Sequence, residues 1–234
     1  MKQHHIQAAY LKNFEDRGLI HVYSSINYKY FKKPIKWCTA QDNFQSEDFE
    51  KSQNKLIENP GIKSLRSLLS NSNISENEYD IILRWLALHL IRNQKRKDLL
   101  FVSKEEYNKK FYEEFYKDIA YLNYYRYLDT YTCSRNKFFI TSDNPILEIH
   151  PDENMFLMMP ISPKKLIYFS SNGKRIVHNE ISFTDFVNSM ILASSYNYVF
   201  SDRKLVELNL WKDIISKWNL SPIEVGLDFI IKKI

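Results

Sequence analysis

Phe138-Phe139-Ile140-Thr141-Ser142-Asp143-Asn144-Pro145-Ile146 is the stretch on which the reading of this chain turns. Its approach is β-branched and aromatic, the pattern of a buried strand. Asp and Asn side chains bond their own backbone and Pro lacks an N–H, so Asp143-Asn144-Pro145 stops the strand and turns the chain. A carboxylate and an amide at the end of a buried strand suit metal binding, general-base catalysis or the orientation of a histidine. The same pair is what any strand exit needs, and both readings stand on these residues.

Downstream, strands are expected over 155–159 and 165–170, and Asn172-Gly173 signals a hairpin leading to Arg175–His178. A helix of about 183–196, a short strand at 198–200, a helix of about 204–218 and a terminal strand candidate at 225–231 complete that side. Upstream, 137–142 is the expected strand itself. Before it, Ser103-Lys104-Glu105-Glu106 is a capping box that opens a long helix to about Tyr131. Ser75-Glu76-Asn77-Glu78 is another, and the helix it opens, roughly 76–98, is apolar over so wide a surface that it must be central and buried. A helix over 48–69 is expected to break near Asn59-Pro60-Gly61. Residues 4–14 carry helical spacing, 19–23 and 27–31 read as a hairpin joined at 24–26, and 35–39 as a strand or irregular segment. Helices occupy the middle and strands both ends. The expected architecture is a single α+β domain over residues 1–234, a central helical bundle packed on a mainly antiparallel sheet built from the N-terminal hairpin and the C-terminal strands.

Composition narrows the function. Only 4 glycines occur, none paired in a dinucleotide or Walker spacing, which argues against those nucleotide-binding loops. Cys38 and Cys133 form neither a metal-ligand pattern nor a disulfide framework, and a reducing cytoplasm is the simplest setting. The N-terminus lacks the apolar run of a signal peptide, and the most apolar stretch, 81–91, is interrupted by Arg84 and His89 and is too short to span a bilayer. No membrane association is expected. A net charge of +5 is compatible with an anionic partner without demanding one.

The remaining candidates are polar. His4 and His5 are adjacent and point about 100° apart on a helix, so both rarely serve one site; one is a candidate general base or metal ligand, and the alternative is a solvated N-terminus. Glu50 and Glu58 lie eight apart, close to one helical face, where two carboxylates can share a metal; Lys51 and Lys55 nearby favour ordinary surface charge. His89 sits in an apolar surface with Arg92 one turn on, a pair suited to a phosphate or carboxylate, or else a core histidine beside a snorkelling arginine. The aromatic run 107–131 reads as core, with base stacking as the alternative.

Three motifs together resemble a known family. The opening His4-His5-Ile6-Gln7-Ala8-Ala9-Tyr10-Leu11-Lys12-Asn13-Phe14 looks like its His-aromatic-Val-Pro…Tyr-Leu-x-Asn-Phe start. Trp85 to Arg96 looks like its Gln-x-x-Arg-Thr-Pro helix, and Ser142-Asp143-Asn144-Pro145 with Met159-Pro160-Ile161-Ser162-Pro163 looks like its Ser-Asp-Asn-Pro…Pro-Leu-Ser-Pro pattern. The family is catalogued as domain of unknown function 4238, of bacteria and phages, and the resemblance spans nearly the whole chain. It implies that His4, Glu50, Glu58, Arg92, Asp143, Asn144 and Asn188 are the positions to watch. The chain departs from the pattern at Gln7 for Pro, His89 for Gln and Asn93-Gln94 for Thr-Pro.

The resulting expectation is a phosphodiester hydrolase, nuclease-like, in a toxin or phage-defence setting. Asp143 with Glu58 or Glu50 would hold Mg²⁺ or Mn²⁺, His4 would be base or ligand, Asn144 would join Asp143 in the site, Arg92 would clamp a phosphate, and Arg96 and Asn188 would help bind DNA or RNA. The alternative is a non-catalytic nucleic-acid- or protein-binding module in which the polar set is a structural network. A metal-free hydrolase with His4 as base and Arg92 as stabiliser is a third reading.

Overall fold

The computed structural model describes residues 2–4, 7–42, 47–70, 74–101, 103–149, 155–173 and 183–218. Contacts divide the chain into two compact units, Met1–Leu11 with Ile35–Tyr124, and Lys12–Pro34 with Tyr125–Ile234. The fold is α+β, with helices dominating the first unit and antiparallel sheets the second.

The helical unit opens with β1 (Lys2–His4), so His4 lies in a strand, opposite Ala40, and not on the expected helix. The helix itself is short, α1 (Ala8–Leu11), and runs into a 3₁₀ turn at Lys12–Phe14. Residues 35–39 are helical, α2 (Ile35–Thr39), and lead into β4 (Ala40–Asp42), the partner of β1.

The expected break near Pro60 is instead a change of pitch. Helix α3 (Glu47–Gln53) widens into a π turn at Asn54–Glu58 and continues as α4 (Asn59–Ser70). The Asn59 N–H reaches back to the Asn54 carbonyl, one residue further than in an α-helix. Proline has no N–H to keep the ordinary ladder, and a wider turn just before it absorbs the misfit. Gly61 follows because a Cβ there would lie 2.4 Å from the Trp85 ring. Glycine thus sets how closely α4 approaches α5 (Glu76–Arg92).

The Ser75 capping box forms as expected, with the Ser75 hydroxyl accepting from the Glu78 N–H and the Glu78 carboxylate accepting from the Ser75 N–H at 2.9 Å. The helix does not run to 98. Asn93 leaves the helical region at ψ 126°, and its side chain accepts from the Arg96 N–H, capping a new helix, α6 (Gln94–Leu100). Ser103 caps α7 (Lys104–Leu122), whose Tyr107, Phe111, Phe115 and Leu122 are buried. α5 packs against both α4 and α7.

Helix α7 stops at Leu122, short of the expected Tyr131, because Tyr127–Thr132 forms strand β5. In the second unit β2 (Leu19–Ser24) and β3 (Tyr30–Pro34) make the expected hairpin, and β6 (Thr141–Ser142) covers only the end of the strand expected over 137–142. β7 (Leu147–Ile149) has no counterpart in the sequence reading, whereas β8 (Phe156–Pro160) and β9 (Lys165–Ser170) do. Helix α8 (Phe183–Ser194), β10 (Tyr198–Ser201) and α9 (Leu208–Trp218) follow. Two four-stranded sheets result, ordered β3-β2-β10-β6 and β5-β9-β8-β7, with every pairing antiparallel. Their shared core joins Tyr23, Val199, Met158 and Leu166 to Val187 and Ile191 of α8 and Trp211 of α9. The expected return strand at 175–178 and terminal strand at 225–231 lie outside the described residues.

Candidate functional site

In the sheet unit, the Ser-Asp-Asn-Pro exit is a clamp. Asp143 Oδ1 accepts from the Tyr196 N–H at 2.8 Å, and Oδ2 accepts from the Asn197 and Tyr198 N–H groups at 2.6 and 3.0 Å. The carboxylate so organises the turn from α8 into β10 and is 6 % exposed. Burial pushes its pKa up to about 6, with the three backbone donors pulling it down. The Asn144 amide donates to the Ser194 carbonyl at 3.2 Å, and the Asn144 N–H to the Ser142 hydroxyl at 3.1 Å. Asn188 completes the clamp: its carbonyl accepts from the Ile140 N–H at 3.0 Å and its amide donates to the Phe138 carbonyl at 2.8 Å. Residues 138–140 thereby find a ladder partner in a side chain, which is why the expected strand begins as an irregular buried segment. Asp185 accepts from Lys137 at 2.5 Å and from the Trp211 indole at 3.2 Å.

In the helical unit, the π turn carries Glu58 into the interior toward Arg92, the last residue of α5. Arg92 Nη1 donates to Glu58 Oε1, and Nη2 to Gln53 Oε1 at 2.5 Å. In its hydrogen-bonding orientation the Asn54 amide donates to both Glu58 oxygens, at 2.7 and 2.9 Å. One turn on, Arg96 donates to Asp118 at 2.6 Å. Glu50 is buried in α3, two turns before Glu58. Burial pushes the Asp118 carboxyl up to about 6 against the pull of Arg96. It brings the Lys97 ammonium down to about 8, with Arg92 acting in the same direction. His89 is held down to about 3 by burial and by Arg92, so it is a neutral ring, packed edge-on to Trp85 and Tyr10 at 4.2 and 5.7 Å.

Glu58 and Arg92 are therefore brought together within one unit, and Asp143, Asn144 and Asn188 within the other. Among the described residues no three His, Cys, Asp or Glu side chains are grouped to hold a metal ion, and this covers Asp143, Glu58 and Glu50. A cleft of about 480 Å³ opens between α4 and α5, lined by Lys55, Asn59, Lys63, Asn77, Glu78 and Ile81, none of them a sequence candidate. His5 lies outside the described residues.

Three members of the helical network carried no expectation: Gln53, Asn54 and Asp118. Asp118 had a legible signal, because it falls on the apolar stripe 107, 111, 115, 122 of α7, where a carboxylate needs a partner. Gln53 and Asn54 had none.

Fold and geometry define an α+β protein in which Glu58, Arg92, Asp143, Asn144 and Asn188 are bonded to partners within their own unit. Residues 95–204 match the model of the family described as Protein of unknown function (DUF4238). The match takes in Arg96, Asp143, Asn144 and Asn188, and leaves Glu58 and Arg92 before it. No curated protein and no solved structure matches the chain.

Proposed function

We propose that the protein is a non-catalytic binding module whose two polar clusters are structural networks, and that its partner is nucleic acid. The observation that carries this is the state of the two groups a hydrolase would use. Asp143 and Arg92 are 6 % and 4 % exposed, and both are bonded to protein partners. A phosphodiester or metal would have to displace those partners from a low-dielectric interior, which costs several kcal/mol per charge. For the partner, the support is a net charge of +5 and the outer face of α7. There Tyr112 and Tyr116 stand 42 % and 58 % exposed, stacked at 6.5 Å, with Lys109 exposed one turn before Tyr112. Aromatic faces beside a cation hold single-stranded bases without reading sequence. The free thiols Cys38 and Cys133 support a cytoplasmic setting, and no helix among the described residues is long and apolar enough to cross a membrane.

The competing reading is the phosphodiester hydrolase, metal-dependent or metal-free, in a toxin or phage-defence role. One experiment separates them: binding and cleavage of single- and double-stranded DNA and RNA, with Mg²⁺, Mn²⁺ or chelator. Salt-sensitive binding without cleavage, weakened in Tyr112→Ala/Tyr116→Ala, supports the module. Cleavage lost in chelator and in Asp143→Ala overturns it in favour of the metal enzyme. Cleavage that persists in chelator and is lost in His4→Ala overturns it in favour of the metal-free one.

A further inference from the structure

The cleft of about 480 Å³ between α4 and α5 falls in the size range of small-molecule sites, roughly 300–1,000 Å³. One wall follows the π turn into α4, where Lys55, Asn59 and Lys63 recur every fourth residue and so share a face. The other wall is the start of α5, with Asn77, Glu78 and Ile81. Pro60 and Ser64 complete the lining. Ser64 is 3 % exposed, and its hydroxyl has no hydrogen-bond partner among the described residues. A buried hydroxyl that borders a cleft and bonds to nothing in the protein has its capacity left for whatever fills the cleft.

Charge sets the ligand chemistry. Two ammonium groups line the cleft against one carboxylate, and that carboxylate is already engaged. Glu78 accepts from the Ser75 N–H at 2.9 Å and the Ser75 hydroxyl at 3.0 Å, and from the Ser67 hydroxyl as well. Lys63 is near enough to favour the ionised Glu78, but among the described residues neither Lys63 nor Lys55 is in an ion pair. An ammonium on a flexible four-carbon stem is a point charge that adapts to a phosphate, so two of them on one face can converge on the same group. A phosphate monoester brings about 1.5–2 negative charges at neutral pH and three acceptor oxygens, more than one lysine answers. Pro60 and Ile81 add an apolar wall that a bare ion would not use. We propose that this cleft binds a small phosphorylated organic molecule, its phosphate held by Lys55, Lys63 and the Ser64 hydroxyl and its body lying against Pro60 and Ile81. The site does not rest on the nucleic-acid reading, because no residue of α7 lines it.

The test is calorimetric titration of the full chain, at equal ionic strength, with inorganic phosphate, ribose 5-phosphate and adenosine monophosphate. Ribose and adenosine serve as the phosphate-free counterparts. Expected is saturable binding of an ester, with none for its counterpart. Lys55→Gln and Lys63→Gln, both at exposed positions, should each raise the Kd roughly tenfold or more, the worth of one charge-assisted bond. Lys29→Gln, exposed in the other unit, makes the same change in net charge and should leave the Kd as it was. So should Tyr112→Ala/Tyr116→Ala, which removes the face assigned to nucleic acid. The proposal is overturned if neither ester binds, or if both cleft variants bind as the wild type does. It is overturned too if Lys29→Gln or the tyrosine pair weakens binding as much as the cleft lysines do. Inorganic phosphate binding as tightly as the esters would also overturn it, because the Pro60–Ile81 wall would then contribute nothing.

Discussion

His89 makes the fold sensitive to acid in a way that one substitution removes. It lies in the interior against the Trp85 and Tyr10 rings, with the Arg92 guanidinium one turn away, and it titrates near 3 where a free histidine titrates near 6.5. The folded pKa is the lower one, so the unfolded chain holds more protons between those values, and stability falls as pH drops through that window. With one pKa unit worth about 1.36 kcal/mol, the loss from this residue is about 2 kcal/mol at pH 5 and about 3 kcal/mol at pH 4. The comparison is with His89→Gln, which stays uncharged and keeps a polar side chain there. Urea unfolding followed by circular dichroism at pH 7 and pH 5 reads the difference. The gap between the two proteins should shift toward the variant by about 2 kcal/mol, or roughly 1 M in urea midpoint. Asp118 and Asp143, both pushed up to about 6, act in the opposite direction, but they are common to both proteins and cancel. A gap that does not change with pH would refute the claim that His89 is held neutral in the fold.

Three further outcomes follow from the same geometry. Gly61→Ala should destabilise by about 1–3 kcal/mol in thermal unfolding, because its Cβ would lie 2.4 Å from the Trp85 ring; helix propensity alone predicts a gain of about 1 kcal/mol, so the sign decides. Glu58→Gln should cost about 3–5 kcal/mol by leaving Arg92 buried and uncompensated, and Glu58→Leu with Arg92→Met should recover most of it in a denaturation cycle; a single-variant cost below about 1 kcal/mol would mean the pair is not sealed. Lys97 titrates near 8 when folded, below its free value of 10.5, so the unfolded chain holds the extra proton between them. Stability should therefore rise with pH over that window, by up to about 3 kcal/mol, and Lys97→Met should flatten the rise.

What the sequence made legible was local. Both serine caps, the N-terminal hairpin and helices α8 and α9 follow from signals that act within a few residues. The misses share a cause. Pro60 reads as a breaker, yet a wider turn and the approach of Trp85 keep the chain helical. Tyr127–Thr132 continues the aromatic pattern of α7, yet pairs residue for residue with β9, from Tyr127 opposite Ser170 to Thr132 opposite Lys165. That partner lies about forty residues on, and strand propensity depends on such partners more than on the strand's own residues.

The marked residues divide the same way. Their polarity and spacing were enough to single out Asp143, Asn144, Glu58 and Arg92, because a polar group at the end of a buried strand or on an apolar helix face must bond to something, and the family resemblance added Asn188. What each one bonds to was decided by tertiary structure. Asp143 meets three N–H groups more than fifty residues away, Asn188 serves as a ladder partner for Phe138 and Ile140, and Arg92 meets Glu58 only because a π turn rotates it inward. A side chain carries its hydrogen-bonding capacity in its own atoms, but whether that capacity is spent on the protein or left for a ligand depends on which distant backbone arrives beside it.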